Sequence, residues 1–114
     1  MKQVTLEVFD KQVALSRVGG DTDLLKEIAQ LFLEDYPKSL ADLHAALNDG
    51  DAKRMERAAH GLKGAVSNFG AAPAVEAAFQ LETLGRAREM TDVEKVLQTL
   101  EQALAELRPE LEAL

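Results

Sequence analysis

A histidine near the middle of the chain lies in a segment whose residue types suit chemistry on its imidazole ring. The segment RAAHGLKGAVSNFGA, residues 57–71, places Lys63 three residues and Gly64 four residues after His60. Neutral imidazole is a nucleophile near pH 7, because its unperturbed pKa is about 6.5. A glycine inside a helix costs about 1 kcal/mol relative to alanine, so Gly61 and Gly64 require an explanation.

A helical wheel places His60 on the polar side of this segment. The apolar stripe lies about 150° away from the histidine and consists of Met55, Ala58, Ala59, Leu62, Val66 and Phe69. Gly64 lies one turn after His60 on the same side, where either a close helix crossing or access to the ring could require it. Because Gly64 faces away from the apolar stripe, we favour access to the imidazole, whereas Gly61 has no comparable explanation.

The charge distribution restricts the partners that such a site could have. The formal net charge of -7 argues against binding to nucleic acid or to an anionic membrane. Basic residues nevertheless outnumber acidic ones between residues 51 and 63, where Lys53, Arg54, Arg57 and Lys63 stand against Asp51 and Glu56. This basic stretch is either a solvated helix face or a patch for an anionic partner or a phosphoryl group.

The composition excludes several classes of protein. The chain has no cysteine, which rules out disulfides, thiol catalysis and cysteine-ligated metals. The segment MKQVTLEVFD lacks the apolar run of a signal peptide, and no segment approaches the roughly 20 apolar residues of a membrane span. We therefore expect a cytoplasmic protein with a single domain over residues 1–114.

The elements that must position the histidine are predicted to be helices. A short amphipathic segment, FDKQVALSRV, ends at two glycines, and Asp21 then offers an N-cap for a long second helix. Pro37 lies inside that helix and is expected to kink or split it near residues 35–36. The third helix is predicted from about Ala52 to Asn68, after an N-cap at Asp51.

The remaining chain predicts two further helices. Pro73 lies in the first turn of the fourth helix, which fades near Arg88. Thr91 and Glu94 are predicted to form the capping box of the last helix. That helix carries a narrow apolar seam of Val93, Leu97, Leu100, Leu104, Leu107, Leu111 and Leu114. The predicted fold class is all-α, an up-down four-helix bundle with a short leading helix.

The histidine segment resembles histidine-containing phosphotransfer (Hpt) domains of two-component phosphorelays. AAHGLKGAVSNFG matches their H-x-x-K-G-x(5)-G pattern at His60, Lys63, Gly64 and Gly70. Similarity extends upstream through RVGGDTDLLKEIAQLFLEDYPKSLADLHAAL and downstream through LETLGRA, so it covers most of the chain. Gly61 departs mildly from the pattern, since relatives often carry a hydroxyl or a larger residue there.

The resemblance implies a function for each matching residue. His60 would accept a phosphoryl group from the aspartyl phosphate of a receiver domain and pass it to another response-regulator aspartate. Lys63 would offset the phosphoryl charge, and Gly64 would let the receiver approach the ring. The protein would be a carrier without kinase activity, with receiver domains and a hybrid sensor histidine kinase as partners. It would hold no cofactor or metal of its own, because Mg²⁺ belongs to the receiver.

The resemblance also suggests residues around the histidine. Glu82 would hydrogen-bond the ring nitrogen opposite the phosphorylated one, with Arg86 and Ser67 nearby, although Glu82 and Arg86 could instead form an ordinary surface pair. Residues predicted to dock the receiver are Val13, Leu24, Leu25, Arg57 and Phe79, of which the apolar ones could equally belong to the core. The second histidine, His44, is predicted to be a surface or interhelical residue.

Other functions remain open from the sequence alone. A helical adaptor could bind a receiver or kinase without being phosphorylated, and then replacing His60 would leave its function intact. An enzyme, such as a histidine phosphatase or a metal-dependent bundle protein, is disfavoured because no clustered carboxylates or second helical histidine accompany His60. A single exposed site is consistent with a monomer.

Overall fold

The computed structural model describes residues 7–114, which form five α-helices and no strand. The helices are α1 (Lys11–Arg17), α2 (Thr22–Asp49), α3 (Ala52–Ser67), α4 (Ala72–Ala87) and α5 (Val93–Glu112). Over this range no helix is both long enough and apolar enough to cross a membrane. The prediction of an all-helical fold is therefore confirmed for the described residues. The first six residues, and most of the segment compared above with a signal peptide, lie outside the described part.

The four longer helices close around one apolar core. Helix α2 packs on α3, α3 on α4, α4 on α5, and α5 packs back on α2, while α1 contacts α2. The seam of α5 is buried as its spacing predicts, with exposed fractions of 3% or less at Val93, Leu97, Leu100, Leu104, Leu107 and Leu111. Leu114 is only partly buried at the edge of this core.

Aspartate caps explain where the first three helices begin. The Asp21 side chain accepts a hydrogen bond from the Leu24 amide at 3.1 Å, and that of Asp51 accepts one from the Arg54 amide at 3.0 Å. Asp10 caps α1 in the same way. Each cap satisfies an amide that has no partner inside its helix.

Two expectations about helix boundaries differ from the structure. Of the two outcomes expected at Pro37, a split is wrong, because α2 is continuous over its 28 residues. Phe32 and Tyr36 stay buried and stacked before the proline, with ring centroids 5.3 Å apart, and this core packing outweighs one lost helical hydrogen bond. Thr91 does not cap α5, because the chain turns through Thr91 and the helix begins at Val93 after Asp92, without a side-chain cap bond.

The closest approach of α3 and α4 depends on a glycine that the sequence analysis did not single out. A Cβ atom on Gly85 would lie 2.7 Å from the Glu56 nitrogen and 2.8 Å from the Ala52 carbonyl oxygen. Both are backbone atoms, so a side chain could be accommodated only by moving one helix away from the other. By contrast, a Cβ on Gly61 or Gly64 would meet nothing within 4 Å.

We expect Gly85→Ala to lower the free energy of unfolding by about 1–3 kcal/mol, because the added methyl group overpacks the α3–α4 contact. Gly61→Ala is the matched control, since it adds the same methyl group to a helix but in open space. It should raise the stability by up to about 1 kcal/mol through helix propensity. Urea unfolding of both variants measures this, and equal stabilities for the two would contradict the crossing.

Candidate functional site

His60 lies on the solvent side of α3, with its side chain 68% exposed. Its Nδ1 atom is 2.9 Å from Oε2 of Glu82 on α4. The other ring nitrogen, Nε2, makes no hydrogen bond to any residue between 7 and 114. The helical wheel of α3 thus places the ring correctly on the polar face, and one of its two nitrogens is left for an incoming group.

Glu82 is a buried carboxylate at the centre of the site. Its side chain is only 4% exposed, and its oxygens contact three side chains: His60, Lys63 and Arg86. The Lys63 ammonium donates to Oε1 at 2.6 Å, and the Arg86 guanidinium donates to Oε2 at 3.0 Å. No buried side-chain polar atom among the described residues lacks a partner, so burial of this charge is matched by hydrogen bonds.

These contacts settle the proton positions on the histidine. The hydrogen bond from Lys63 lowers the pKa of Glu82, with a further contribution from His60, although burial alone would raise it. An ionised carboxylate can only accept hydrogen bonds, so Nδ1 of His60 must be the donor. In the neutral ring the proton is then on Nδ1, and Nε2 carries the free lone pair.

Lys63 connects the carboxylate to an exposed aromatic ring. Its ammonium lies 5.1 Å from the centroid of the Phe79 ring, within the range of a cation–π contact. The Lys63 side chain is 27% exposed, so it is neither buried nor fully in solvent. Its charge is therefore held between Glu82 and Phe79, one helical turn from His60.

Arg86 and Glu82 form the i,i+4 pair that the sequence allowed, but only the arginine lies at the surface. Glu82 is buried, whereas Arg86 is 61% exposed and also donates to Oε2 of Glu56 at 2.9 Å. The arginine bridges two carboxylates on two different helices. The role of Glu56 was missed from the sequence, where it stands out only as an acidic residue within the basic stretch between residues 51 and 63.

Gly64 and Ser67 flank the ring on α3 without contacting it. Gly64 is exposed with open space where a side chain would begin, so the alternative of a tight helix crossing there is wrong. The Ser67 hydroxyl donates to the Gly64 carbonyl oxygen at 2.7 Å, within its own helix. The structure therefore gives Ser67 no contact with His60, because its hydroxyl is used by the helix backbone.

Most of the predicted docking residues are accessible. Phe79 and Leu24 are 51% and 40% exposed, Arg57 is exposed, and Val13 is half-buried. Val13, Lys63 and Phe79 line one groove together with Val75, and this groove lies between α1, α3 and α4.

Leu25 was predicted as a docking residue, and this prediction is wrong. Its side chain is 2% exposed. Successive residues of a helix point about 100° apart, so Leu25 faces the core in line with Ala29 and Phe32 while its neighbour Leu24 faces solvent. The core spacing of α2 already favoured Leu25 as the buried one of the two adjacent leucines.

His44 is remote from the site. Its Nε2 atom lies 2.8 Å from Oε1 of Glu101, which joins α2 to α5 at the surface, as predicted for an interhelical residue. Residues 7–114 contain no group of three or more histidine, aspartate or glutamate side chains placed to hold a metal ion.

Comparison with known proteins identifies the family. Residues 27–110 match the family model of the Hpt domain. The structure is similar to the crystal structure of histidine-containing phosphotransfer protein B from Pseudomonas aeruginosa, with a TM-score of 0.88 and 28% identity over 96% of this chain and 95% of that chain. It also shares the fold of the HPT domain of a sensor hybrid histidine kinase from Shewanella, with a TM-score of 0.82 and 18% identity over 96% of this chain and 94% of that one.

No curated protein matches the chain. The match to the family model covers well over half of it, so the chain belongs to the Hpt family. It is accordingly a signal-transduction protein of two-component phosphorelays, as the resemblance implied.

Glu82→Gln should lower the free energy of unfolding at pH 7 by about 1–3 kcal/mol, because charge-assisted hydrogen bonds to Lys63 and Arg86 are lost. The folded-state pKa of Glu82 is lowered from its ordinary value of 4.5. Its contribution is therefore complete above that pH and disappears as the pH falls through the lowered value. Urea unfolding between pH 7 and pH 2.5 should show the two proteins converging in acid.

Glu110→Gln serves as the control for this comparison, because Glu110 is exposed on α5. Its difference from the wild-type protein should stay small at every pH. A Glu82→Gln deficit that is constant across the pH range would contradict an ionised carboxylate at position 82.

Proposed function

We propose that Nε2 of His60 accepts a phosphoryl group from a receiver-domain aspartyl phosphate and passes it to another response-regulator aspartate. The observation that carries this proposal is the hydrogen bond between Nδ1 and the buried Glu82, on a ring whose side chain is 68% exposed. That bond fixes the tautomer and leaves the Nε2 lone pair accessible. The membership in the Hpt family supports the same role.

The transfer needs no proton movement at His60. The Nε2 lone pair attacks phosphorus, the N–P bond forms as the P–O bond to the aspartate breaks, and the electron pair leaves with the aspartate carboxylate. The ring keeps its Nδ1 proton and gains positive charge as the bond forms. The ionised Glu82 carboxylate, 2.9 Å from Nδ1, offsets that charge. Transfer to the next aspartate is the same step in reverse.

Lys63 and Gly64 complete the proposed site. The Lys63 ammonium, one turn from His60, offsets the negative charge of the phosphoryl oxygens. The open space at Gly64 lets the receiver's active-site loops reach the ring. Phe79, Leu24, Val13 and Arg57 form the accessible surface on which the receiver docks, while Arg86 acts through Glu82.

The partners in this proposal are response-regulator receiver domains and a hybrid sensor histidine kinase. The receiver supplies Mg²⁺, and this protein contributes no cofactor and no kinase activity. We further propose a cytoplasmic monomer with one domain, an up-down four-helix bundle led by α1. Pairings of Glu56 with Arg86 and of His60 with Glu82 support opposite directions for α3 and α4, and pairings of Tyr36 with Arg108 and of His44 with Glu101 do so for α2 and α5.

His60→Gln should abolish label transfer from a receiver domain that carries radiolabelled aspartyl phosphate, because glutamine lacks the nucleophilic ring nitrogen. The melting temperature should change little, because position 60 is exposed. His44→Gln is the matched control, since it removes the other of the two histidines and should keep transfer. The label on the native protein should be acid-labile and alkali-stable.

Two results would contradict phosphotransfer at His60. One is label arriving on the His60→Gln protein at the native rate. The other is a receiver that binds the native protein but never transfers label to it, which would favour the non-phosphorylated adaptor.

Gly64→Met should slow transfer from the receiver at least tenfold while keeping or raising the stability, by up to about 1 kcal/mol from helix propensity. The methionine side chain would occupy the open space beside His60 and obstruct a protein partner. Phosphoramidate, a small phosphoryl donor, should still modify His60 at a nearly native rate. An equal slowing with both donors, or a large loss of stability, would contradict a role of Gly64 in access.

A further inference from the structure

Arg86 gives Glu82 a second cation, and Glu56 holds that arginine. The guanidinium donates through Nε to Oε2 of Glu56 at 2.9 Å and through one terminal nitrogen to Oε2 of Glu82 at 3.0 Å. Glu56 is partly buried, with its side chain 31% exposed, whereas Arg86 is 61% exposed. An arginine this exposed would sample many rotamers, so the second carboxylate restricts it to the side of Glu82.

The backbones of α3 and α4 place the Glu56–Arg86 contact and the His60–Glu82 contact one helical turn apart. Glu56 and His60 are four residues apart on α3, and Glu82 and Arg86 are four residues apart on α4. The glycine beside Arg86, Gly85, allows α4 to lie directly against the backbone of Glu56. The same close crossing therefore sets the Glu56–Arg86 contact and, one turn further, the His60–Glu82 contact.

Lys63 has two tasks that conflict. In this structure its ammonium is bound to Oε1 of Glu82 at 2.6 Å. The proposed transfer needs the same ammonium near the oxygens of a phosphoryl group on Nε2, on the opposite edge of the ring from Nδ1. If Lys63 were the only cationic side chain on Glu82 besides the ring, its departure would leave the buried carboxylate balanced by the charge of the phosphorylated imidazole alone, which is unfavourable.

We propose that Glu56 is a positioning residue for the transfer site. It holds Arg86 against Glu82, so that Lys63 can leave Glu82 for the phosphoryl group on His60 while the buried carboxylate keeps a cationic side chain in addition to the charged ring. The inference rests on the proposed phosphotransfer function. The exchange breaks one ion pair and forms another, with no bond to phosphorus and no proton transfer involved.

The exchange can be tested in the unphosphorylated protein by following the titration of the Glu82 side-chain carboxyl with ¹³C NMR. The charged or titratable side chains that face this carboxyl are His60 and Lys63 from α3 and Arg86 from α4, with Glu56 behind the arginine. In a Lys63→Gln background, which mimics the departure of the ammonium, Arg86→Gln should raise the apparent pKa of Glu82 by about one unit or more.

Glu56→Gln in the same Lys63→Gln background should shift the pKa of Glu82 in the same direction by a smaller amount, and it remains informative if the Arg86 double variant does not fold. With Lys63 intact, both shifts of the Glu82 pKa should be clearly smaller. In the Lys63→Gln background, Arg86→Lys keeps a cation and should therefore prevent most of the pKa rise that Arg86→Gln causes. Glu110→Gln, an exposed position on α5, is the control and should give no shift. If Glu56→Gln does not move the titration of Glu82 in the Lys63→Gln background, the inference is wrong, whatever the effect of Arg86→Gln.

A second measurement separates this inference from the proposed function. With His60 phosphorylated by phosphoramidate, Glu56→Gln should shorten the lifetime of the phosphohistidine severalfold, because Lys63 stays on Glu82 for more of the time. An unchanged lifetime would overturn the exchange. If the native protein takes up no phosphoryl group from phosphoramidate or from any receiver, the proposed function fails, while the NMR titration still decides whether Glu56 and Arg86 hold Glu82.

Discussion

The site depends on one carboxylate that is almost entirely removed from water. Burying an ion costs several kcal/mol unless partners replace its hydration, and Glu82 obtains those partners from His60, Lys63 and Arg86. Each partner must therefore point to the same place between α3 and α4. The orientation of the imidazole and the choice of its protonated nitrogen are consequences of satisfying that charge. A neutral side chain at position 82 would need fewer donors and would constrain the ring less.

Glycine has opposite uses on the two helices that carry the site. At Gly85 the absence of a side chain brings two backbones together, and the carboxylate–guanidinium contacts follow from this proximity. At Gly61 and Gly64 the same absence leaves open solvent, and helix propensity is given up without any gain in packing. The stability lost on the exposed face of α3 is offset by the contact on its buried face. The site can thus be rigid at the Glu82 side of the ring and open at the other.

The sequence predicted the features that depend on local chemistry. Aspartate caps, glycine stops and apolar spacing located the helices to within a few residues, and the wheel of α3 placed His60 on the solvent side. Contacts between helices were predicted less well: the family resemblance suggested the hydrogen bond between Glu82 and His60, but the burial of Glu82 and the role of Gly85 were missed. A glutamate on the polar-looking side of α4 gave no sign of burial, because Glu82 is contacted by His60 and Lys63 of α3, which only the folded chain brings to it. Gly85 follows Ala78 and Leu81 at core spacing, so the sequence could have shown that it is a small residue on a buried stripe. The sequence could not show that the backbone of α3 packs against it. At Pro37 the local sequence was misleading instead. The proline favoured a break in α2, but the packing of Phe32 and Tyr36 keeps the helix continuous.

The local charge around the ring differs from that of the whole protein. A net charge of -7 would repel a phosphorylated partner at long range, but at physiological ionic strength such repulsion is screened beyond about 8 Å. In the network that holds the ring, the two carboxylates of Glu56 and Glu82 are paired with the two cations of Lys63 and Arg86. In the proposed transfer, an arriving phosphoryl group would meet a network that is neutral as a whole, with the exposed Arg57 adding positive charge one turn earlier on α3. Because this network carries its own cations, it would allow an acidic protein to receive the proposed phosphoryl group at a single histidine.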